Sequence, residues 1–368
     1  MNGKISAAEQ IALSLGSLFE GCGYLPYKMS KFEEYDLYAR NKDFLISDSV
    51  ITFTDLGGKL MALKPDVTLS IVKNSKDLPW VQKVYYKENV YRVSPGAHGY
   101  REIMQLGLEA LGDIDDYCVT EVLNLAAQSL LTVSSEAVLE VSHLGVLKEL
   151  TDAIGIPLEY REQLVKLIGE KNPHELTALC RRCSATAEQI ELLRWMATAS
   201  GTPEVMLPQI RSKLGGTVSA ATLDRFETVL SALSGCGILR VDFSVVDNIH
   251  YYNGFVFRGF INGIPDRVLS GGQYDKLMKK MNRTAGAIGF AVYTDLLQRL
   301  EQPGEDYDVD LLLLYDDSTP LAVLSNTVAD YRAKGLSVMV QKEKPGTVRY
   351  RQAVKFAGSE VQTLENDA

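Results

Sequence analysis

Cysteine, histidine and tryptophan are scarce: five cysteines, four histidines and two tryptophans serve 368 residues. The odd set Cys22, Cys118, Cys180, Cys183 and Cys236 offers no disulfide framework and fits a reducing compartment. Cys180-Arg-Arg-Cys183 is a lone CxxC. A structural zinc site needs a second pair or paired histidines, and His174 is the only histidine near it, so neither metal nor cofactor is expected. No apolar run approaches the ~18 residues of a membrane span. Met1–Ile5 leads into a polar helix without an apolar signal core, and the expectation is a cytoplasmic protein. Basic excess is missing too: the net charge of −9 does not favour bulk attraction to nucleic acid.

What is present is a globular composition, 46% hydrophobic and 23% charged, long enough for two or three domains. Ser6 and Glu9 form a capping box before Ile11, Leu15, Leu18 and Phe19, which recur at helical spacing; Gly21 reads as the stop. Strands are expected at Val50–Thr54 and Lys59–Leu63 around Gly57-Gly58, and at Val81–Ser94. Pro95–Gly99 is a loop that carries His98, a histidine read as solvent-exposed. Arg101–Gly112 resumes as a strand, and a helix follows from about Tyr117 to Leu131. Residues 140–235 turn mostly helical, with helical spacing in Leu144–Ile154, Glu159–Gly169, Ala187–Ala197 and Ala221–Leu233. Arg240–Ile264 returns to β, Gly286–Val292 reads as a strand and Tyr293–Leu300 as a helix. After the Pro303-Gly304 linker, strand Val309–Tyr315, helix Leu321–Lys334 and strand Leu336–Gln341 make a small α/β module.

Arg101–Gly112 carries the most chemistry. Alternate residues of a strand share a face. Met104, Leu106, Leu108 and Ala110 make one face apolar, to pack on helices; Ile103, Gln105, Gly107 and Glu109 make the other. A glycine between a glutamine and a glutamate points to close approach by a ligand. Gln105 donates and accepts, and Glu109 accepts from an ammonium or an imidazole N–H. The same pattern also suits an antiparallel sheet with one solvated face.

Four neighbouring segments complete a longer pattern: Lys64-Pro-Asp-Val-Thr68, Tyr91-Arg92-Val-Ser94, His250-Tyr-Tyr-Asn-Gly254 and Gly271-Gly-Gln-Tyr-Asp275. Their order and spacing over residues 5–300 resemble class II aminoacyl-tRNA synthetases, and within these the histidyl enzyme. The first resembles an R-P-E-G-T element, the second together with Arg101–Gly112 resembles motif 2, and the last two resemble the histidine-specific tyrosine segment and G-G-R-Y-D. The resemblance implies an α+β fold: a class II antiparallel sheet flanked by helices (residues 1–139 and 236–303), a helical insertion (140–235) and a short C-terminal α/β module (304–368), a truncated anticodon-domain counterpart. It also implies a histidine pocket. In it Asp66 holds the α-amino group, Arg92 faces a carboxylate or phosphate, Gln105 and Glu109 meet the substrate, and Tyr251 and Tyr252 line the imidazole end.

Two departures bear on function. Asp247 stands where the family has an activating arginine three positions before its D-Y-Y stretch, and Leu296 stands where the motif 3 arginine grips ATP. Arginines at transferring phosphates commonly contribute about 10³-fold or more. His250 replaces the aspartate before the tyrosine pair, and Gln273 the arginine of G-G-R-Y-D. A pocket that holds histidine without activating it resembles the regulatory subunits of ATP phosphoribosyltransferase, paralogues of the synthetase. That resemblance implies a non-catalytic chain with a homodimeric core. Such a chain binds and activates a short catalytic subunit in the first step of histidine biosynthesis, senses L-histidine for feedback, and recognises no tRNA. The rivals are a divergent active histidyl-tRNA synthetase, another aminoacyl ligase, and a tRNA-binding scaffold.

Overall fold

The computed structural model describes residues 7–45, 50–93, 99–246, 251–297, 307–357 and 360–366. The chain divides into two compact units, Ile11–Leu300 and a second made of Glu301–Ala368 with the first ten residues.

The first described element is α1 (Ala7–Gly21). Strands β1 (Leu25–Pro26) and β2 (Phe32–Glu34), α2 (Tyr35–Ala39), the hairpin β3 (Thr52–Thr54) and β4 (Leu60–Leu63), and α3 (Thr68–Asn74) follow. The long antiparallel pair β5 (Gln82–Val93) and β6 (Tyr100–Gly112) leads to α4 (Asp116–Val133) and β7 (Ala137–His143). Next come α5 (Leu144–Ile154), α6 (Leu158–Gly169), α7 (Pro173–Arg182), α8 (Ala187–Thr198), β8 (Ser200–Gly201), α9 (Pro203–Leu214) and α10 (Ala220–Ala232). The larger unit ends with β9 (Leu239–Asp242), β10 (Phe255–Ile261), β11 (Leu269–Gln273), α11 (Asp275–Lys280), β12 (Gly286–Tyr293) and α12 (Thr294–Leu297).

Nine strands form one sheet in the order β1-β5-β6-β12-β11-β10-β7-β9-β8. Its centre, from β5 to β7, is antiparallel throughout. One face packs on helices. Leu106, Leu108 and Ala110 of β6 join Leu15 and Phe19 of α1 and Val119, Val122 and Leu123 of α4 in one core, which continues through the buried faces of α5–α10. Asp115 starts α4 by accepting from the Cys118 backbone N–H at 2.8 Å. The opposite sheet face is covered as well: Tyr86, Val90, Tyr251 and Tyr274 pack there with Tyr38, Phe44, Leu69 and Val72. The solvated-face alternative for β6 is thereby excluded, since Gln105 and Glu109 are 4% and 2% exposed.

The second unit is a sheet of order β14-β13-β15-β16, built from β13 (Val309–Leu314), α13 (Leu321–Ala333), β14 (Val338–Gln341), β15 (Tyr350–Ala357) and β16 (Glu360–Asn366). Leu311 and Leu313 pack with Leu324 of α13, while Leu312 and Leu314 pack with Ala353 on the other face. This is why β13 is apolar at every position from Leu311 onward.

Several elements differ from the expectations. Gly21 closes α1 as its last residue, and the left-handed backbone lies two residues on, at Gly23 (φ 81°). Helices α7 and α9 and strands β7, β15 and β16 were not anticipated. Helix α12 is described over Thr294–Leu297; Tyr293, expected in it, closes β12 instead, and residues 298–300 of the expected helix lie outside the described residues, as do Ser6 and His98.

Candidate functional site

The sheet face away from α4 holds a cavity of about 360 Å³. Asp66, Arg92, Gln105, Glu109, Tyr251 and Tyr252 all line it. Strand β6 supplies Gln105 and Glu109 on one face, four residues apart. Asp66 comes from the turn between β4 and α3, Arg92 from β5, and the two tyrosines from the segment before β10. Asp247 and His250 lie outside the described residues.

Glycines make room for this wall, though for the protein's own side chains. A Cβ at Gly107 would sit 2.6 Å from the Tyr86 hydroxyl and 2.3 Å from the Phe290 carbonyl oxygen. The close approach expected at Gly107 is therefore that of Tyr86, whose strand pairs with β6 at that position. A Cβ at Gly289 would sit 1.8 Å from Glu109 Oε2 and 2.4 Å from the Leu108 carbonyl oxygen. Gly289→Ala is accordingly expected to push Glu109 aside and to lower stability by about 1–3 kcal/mol. Denaturant unfolding measures the second effect. An unchanged midpoint would show that β12 yields at no cost.

Glu109 is the best-anchored group. Its Oε1 accepts from Thr68 Oγ1 at 2.8 Å and its Oε2 from the Tyr274 hydroxyl at 2.6 Å. Burial still dominates, and the carboxyl is pushed up to about 8 despite those two bonds, with the Asp66 charge adding to the rise. Asp66 Oδ1 accepts from the Leu69 backbone N–H at 2.8 Å. Burial also raises its carboxyl, and the Leu69 bond and the Arg92 charge work against that rise. Arg92 donates from Nε to the Pro65 carbonyl at 2.9 Å, which ties β5 to the turn bearing Asp66. No hydrogen bond engages the Gln105 side chain among the described residues, so its amide faces the cavity with both functions available.

The aromatic wall is tight. Tyr251 and Tyr252 meet edge-on at 4.7 Å, and Tyr251 lies 5.5 Å from Tyr274 and 6.0 Å from Phe44. Burial pushes the phenols of Tyr86, Tyr251, Tyr252 and Tyr274 well above their ordinary value, so they remain protonated donors. Tyr86, Tyr274, Thr68, Arg267, Ser270 and Tyr293 line the same cavity without having been singled out from sequence. Tyr86 reaches the cavity through its pairing with Gly107, a register that neither segment states alone; Arg267 sits in an irregular turn and carried no signal.

Other departures from the motif have structural jobs. Gln273 Oε1 accepts from the Phe255 backbone N–H at 3.0 Å and closes the segment ahead of β10. Leu296 packs against the main core. Cys180 is buried in α7, and burial raises its thiol to about 11, which keeps it protonated.

A sequence profile described as histidyl-tRNA synthetase matches residues 3–297. The chain belongs to the histidyl-tRNA synthetase family. The central antiparallel sheet with its helical cover is the class II fold of that family. Among the relatives of this histidyl-tRNA synthetase family member is an ATP phosphoribosyltransferase regulatory subunit from Oceanobacillus iheyensis, 26% identical over 290 residues, 77% of this chain and 71% of the relative. A solved ATP phosphoribosyltransferase regulatory subunit/histidyl-tRNA synthetase from Bacillus halodurans is 22% identical, with a TM-score of 0.77 over 95% of this chain and 93% of that one. A chain of the Thermotoga maritima ATP phosphoribosyl transferase (HisG:HisZ) complex is 19% identical, with a TM-score of 0.62 over 77% and 96%.

Proposed function

We propose that this chain is the non-catalytic regulatory subunit of an ATP phosphoribosyltransferase, working in the cytoplasm on the first step of histidine biosynthesis. It binds a short catalytic subunit, which it activates, and it holds L-histidine in the cavity of Asp66, Arg92, Gln105, Glu109, Tyr251 and Tyr252 as the feedback signal. The carrying observation is that polar, tyrosine-walled cavity; Leu296, which packs against the apolar core, supports the reading because the resemblance sets it where the family has its ATP-gripping arginine. Asp247 gives the same indication from sequence. The names borne by its relatives support the reading.

Feedback requires histidine to bind one assembly state better than the other, and a coupling of about 1–3 kcal/mol is typical. In this reading the larger unit dimerises. The net charge of −9 supports the further reading that tRNA is not a partner.

Calorimetric titration of the purified chain tests the proposal. L-histidine is expected to bind and ATP is not. Mixing with a short catalytic chain is expected to give a complex, sized by light scattering, whose phosphoribosyl transfer falls as histidine is added. The rival, an active synthetase, draws on the two arginines that line the cavity among the described residues, Arg92 and Arg267. Histidine-dependent ATP binding with pyrophosphate exchange would put that rival in place of the regulatory reading.

A further inference from the structure

A second cavity, of about 370 Å³, lies where β6 ends and β12 begins, and it shares no lining residue with the first. Gly112 and Gly286 pair across the two strands and line it with bare backbone. A Cβ at Gly286 would sit 3.0 Å from Asp275 Oδ1, and one at Gly112 would sit 3.2 Å from the Trp80 carbonyl oxygen. Leu78 and Ile114, both half-buried, add an apolar wall.

Among the described residues, the carboxylates of Asp77, Asp113 and Asp275 line this cavity against one cation, Arg225. Two of these four groups are already engaged. Asp275 accepts from Asn253 Nδ2 and from the Ala287 backbone N–H, each at 3.0 Å, and Arg225 donates from Nε to Asp116 at 2.7 Å. Asp77 and Asp113 are exposed; among the described residues Asp77 accepts only a long 3.4 Å bond from the Thr284 N–H, and nothing donates to the Asp113 carboxylate. The same cavity is lined by Gln273, which is 3% exposed. Its Oε1 is taken by the Phe255 N–H, and its amide nitrogen has no hydrogen-bond partner among the described residues. A buried donor left without an acceptor costs free energy, so an occupant that brings an acceptor gains by filling the place.

The occupant must therefore carry a positive charge for Asp77 and Asp113 and an acceptor for Gln273. A metal ion does not fit, because no three carboxylates converge on one point among the described residues. A simple polyamine offers no acceptor. A polypeptide loop with a lysine or arginine offers both, a backbone carbonyl for the amide and a cation for the carboxylates, and its methylene stem suits the wall of Leu78 and Ile114. Trp80, whose backbone lies beside Gly112, is 63% exposed and adds an anchor of the kind that dominates protein interfaces. We propose that this acidic cavity is a docking site for a basic loop of the catalytic subunit. The inference deepens the regulatory reading and rests on it.

The test measures the affinity of the whole chain for a short catalytic chain, by calorimetry at low and at high salt. Asp77→Lys with Asp113→Lys is expected to weaken the complex about tenfold or more and to flatten its salt dependence, because the steering charge is reversed at the contact. Histidine affinity of the free chain should stay unchanged. The control is Glu188→Lys with Glu191→Lys on α8, two exposed positions that alter the net charge equally; it is expected to leave the affinity within about threefold, as surface changes outside a contact do. Should the lysine pair fail to fold, Asp77→Asn with Asp113→Asn makes the same comparison with a smaller loss. Equal weakening by the cavity pair and the control would reduce the effect to net charge, and an unchanged affinity in the cavity pair would place the contact elsewhere. Either result overturns the docking site and leaves the regulatory reading standing. Wild type that forms no complex would remove that reading and this inference with it.

Discussion

Glu109→Ala is expected to weaken L-histidine binding by about 100-fold, the worth of a hydrogen bond to a charged partner in a closed site. The fold should survive, because Thr68 and Tyr274 lose an acceptor but keep access to the cavity. The pH profile makes the test sharper. With its carboxyl pushed up to about 8, Glu109 holds a proton through the neutral range before ligand arrives. A free imidazole loses its proton near 6.5. If carboxyl and ring share one proton in the complex, binding needs no net proton between about 6.5 and 8. Below that window a proton must leave, above it one must be taken up, and affinity falls about tenfold per pH unit on either side. A flat profile from pH 5 to 9 would take Glu109 out of contact with the ring.

The same group couples to folding. Its folded value lies above the ordinary 4.5, so the native state keeps a proton that the unfolded chain releases. Its contribution to stability is therefore full below about 4.5. It declines as pH rises through the window to about 8 and is level beyond. Glu109→Gln cannot ionise, and its stability relative to wild type should climb between pH 5 and 8. That makes the glutamine variant a control for the alanine one: it keeps the packing and removes only the titration.

The parts of this molecule legible in sequence are those where a local pattern and the tertiary environment agree. Helix α5 matches Leu144–Ile154 to the residue, because apolar spacing and a terminal glycine coincide. Strand β6 was legible through its alternation, which sorts Leu106, Leu108 and Ala110 to the helical side. Helix α7 was missed although it carries a start signal, Asn172 as cap with Pro173 at its first position; the ten-residue span holds few apolar positions. Helix α9 has Pro208 inside it, which reads as a break, yet Met206, Ile210 and Leu214 bury the same face. The cavity was legible as far as motif residues reach. Tyr293 enters it through strand register, which no single segment states, Arg267 enters from an irregular turn, and Gly107 shows that a strand glycine marks close approach without saying whose.

Lys64→Met is expected to be the most destabilising of these substitutions. Lys64 is fully buried, and its ammonium meets Glu88 at 2.5 Å; Glu88 retains 18% side-chain exposure and, among the described residues, otherwise accepts only a long 3.4 Å bond from the Met29 backbone. Removing one partner of a buried pair typically costs about 3–5 kcal/mol, because the remaining charge stays out of water without its counterion. The partial exposure of Glu88 lets some water return, which sets the expected loss at the lower end, about 3 kcal/mol. Removing both charges is a different case. Lys64→Met with Glu88→Leu leaves no orphan and should recover most of the loss, so the double-mutant cycle separates the pair from simple packing. The effect should also reach the cavity. The Lys64 backbone carbonyl accepts from the Tyr91 N–H at 3.0 Å, and the next two residues supply the Pro65 carbonyl that holds Arg92 and the Asp66 carboxylate. A chain with a loosened Lys64 therefore presents Asp66 and Arg92 less well, and histidine affinity should drop together with the denaturation midpoint. A stability that falls by about 3 kcal/mol with unchanged histidine affinity would mean that the turn is held by its backbone bonds alone, and that the buried lysine serves the fold without serving the site.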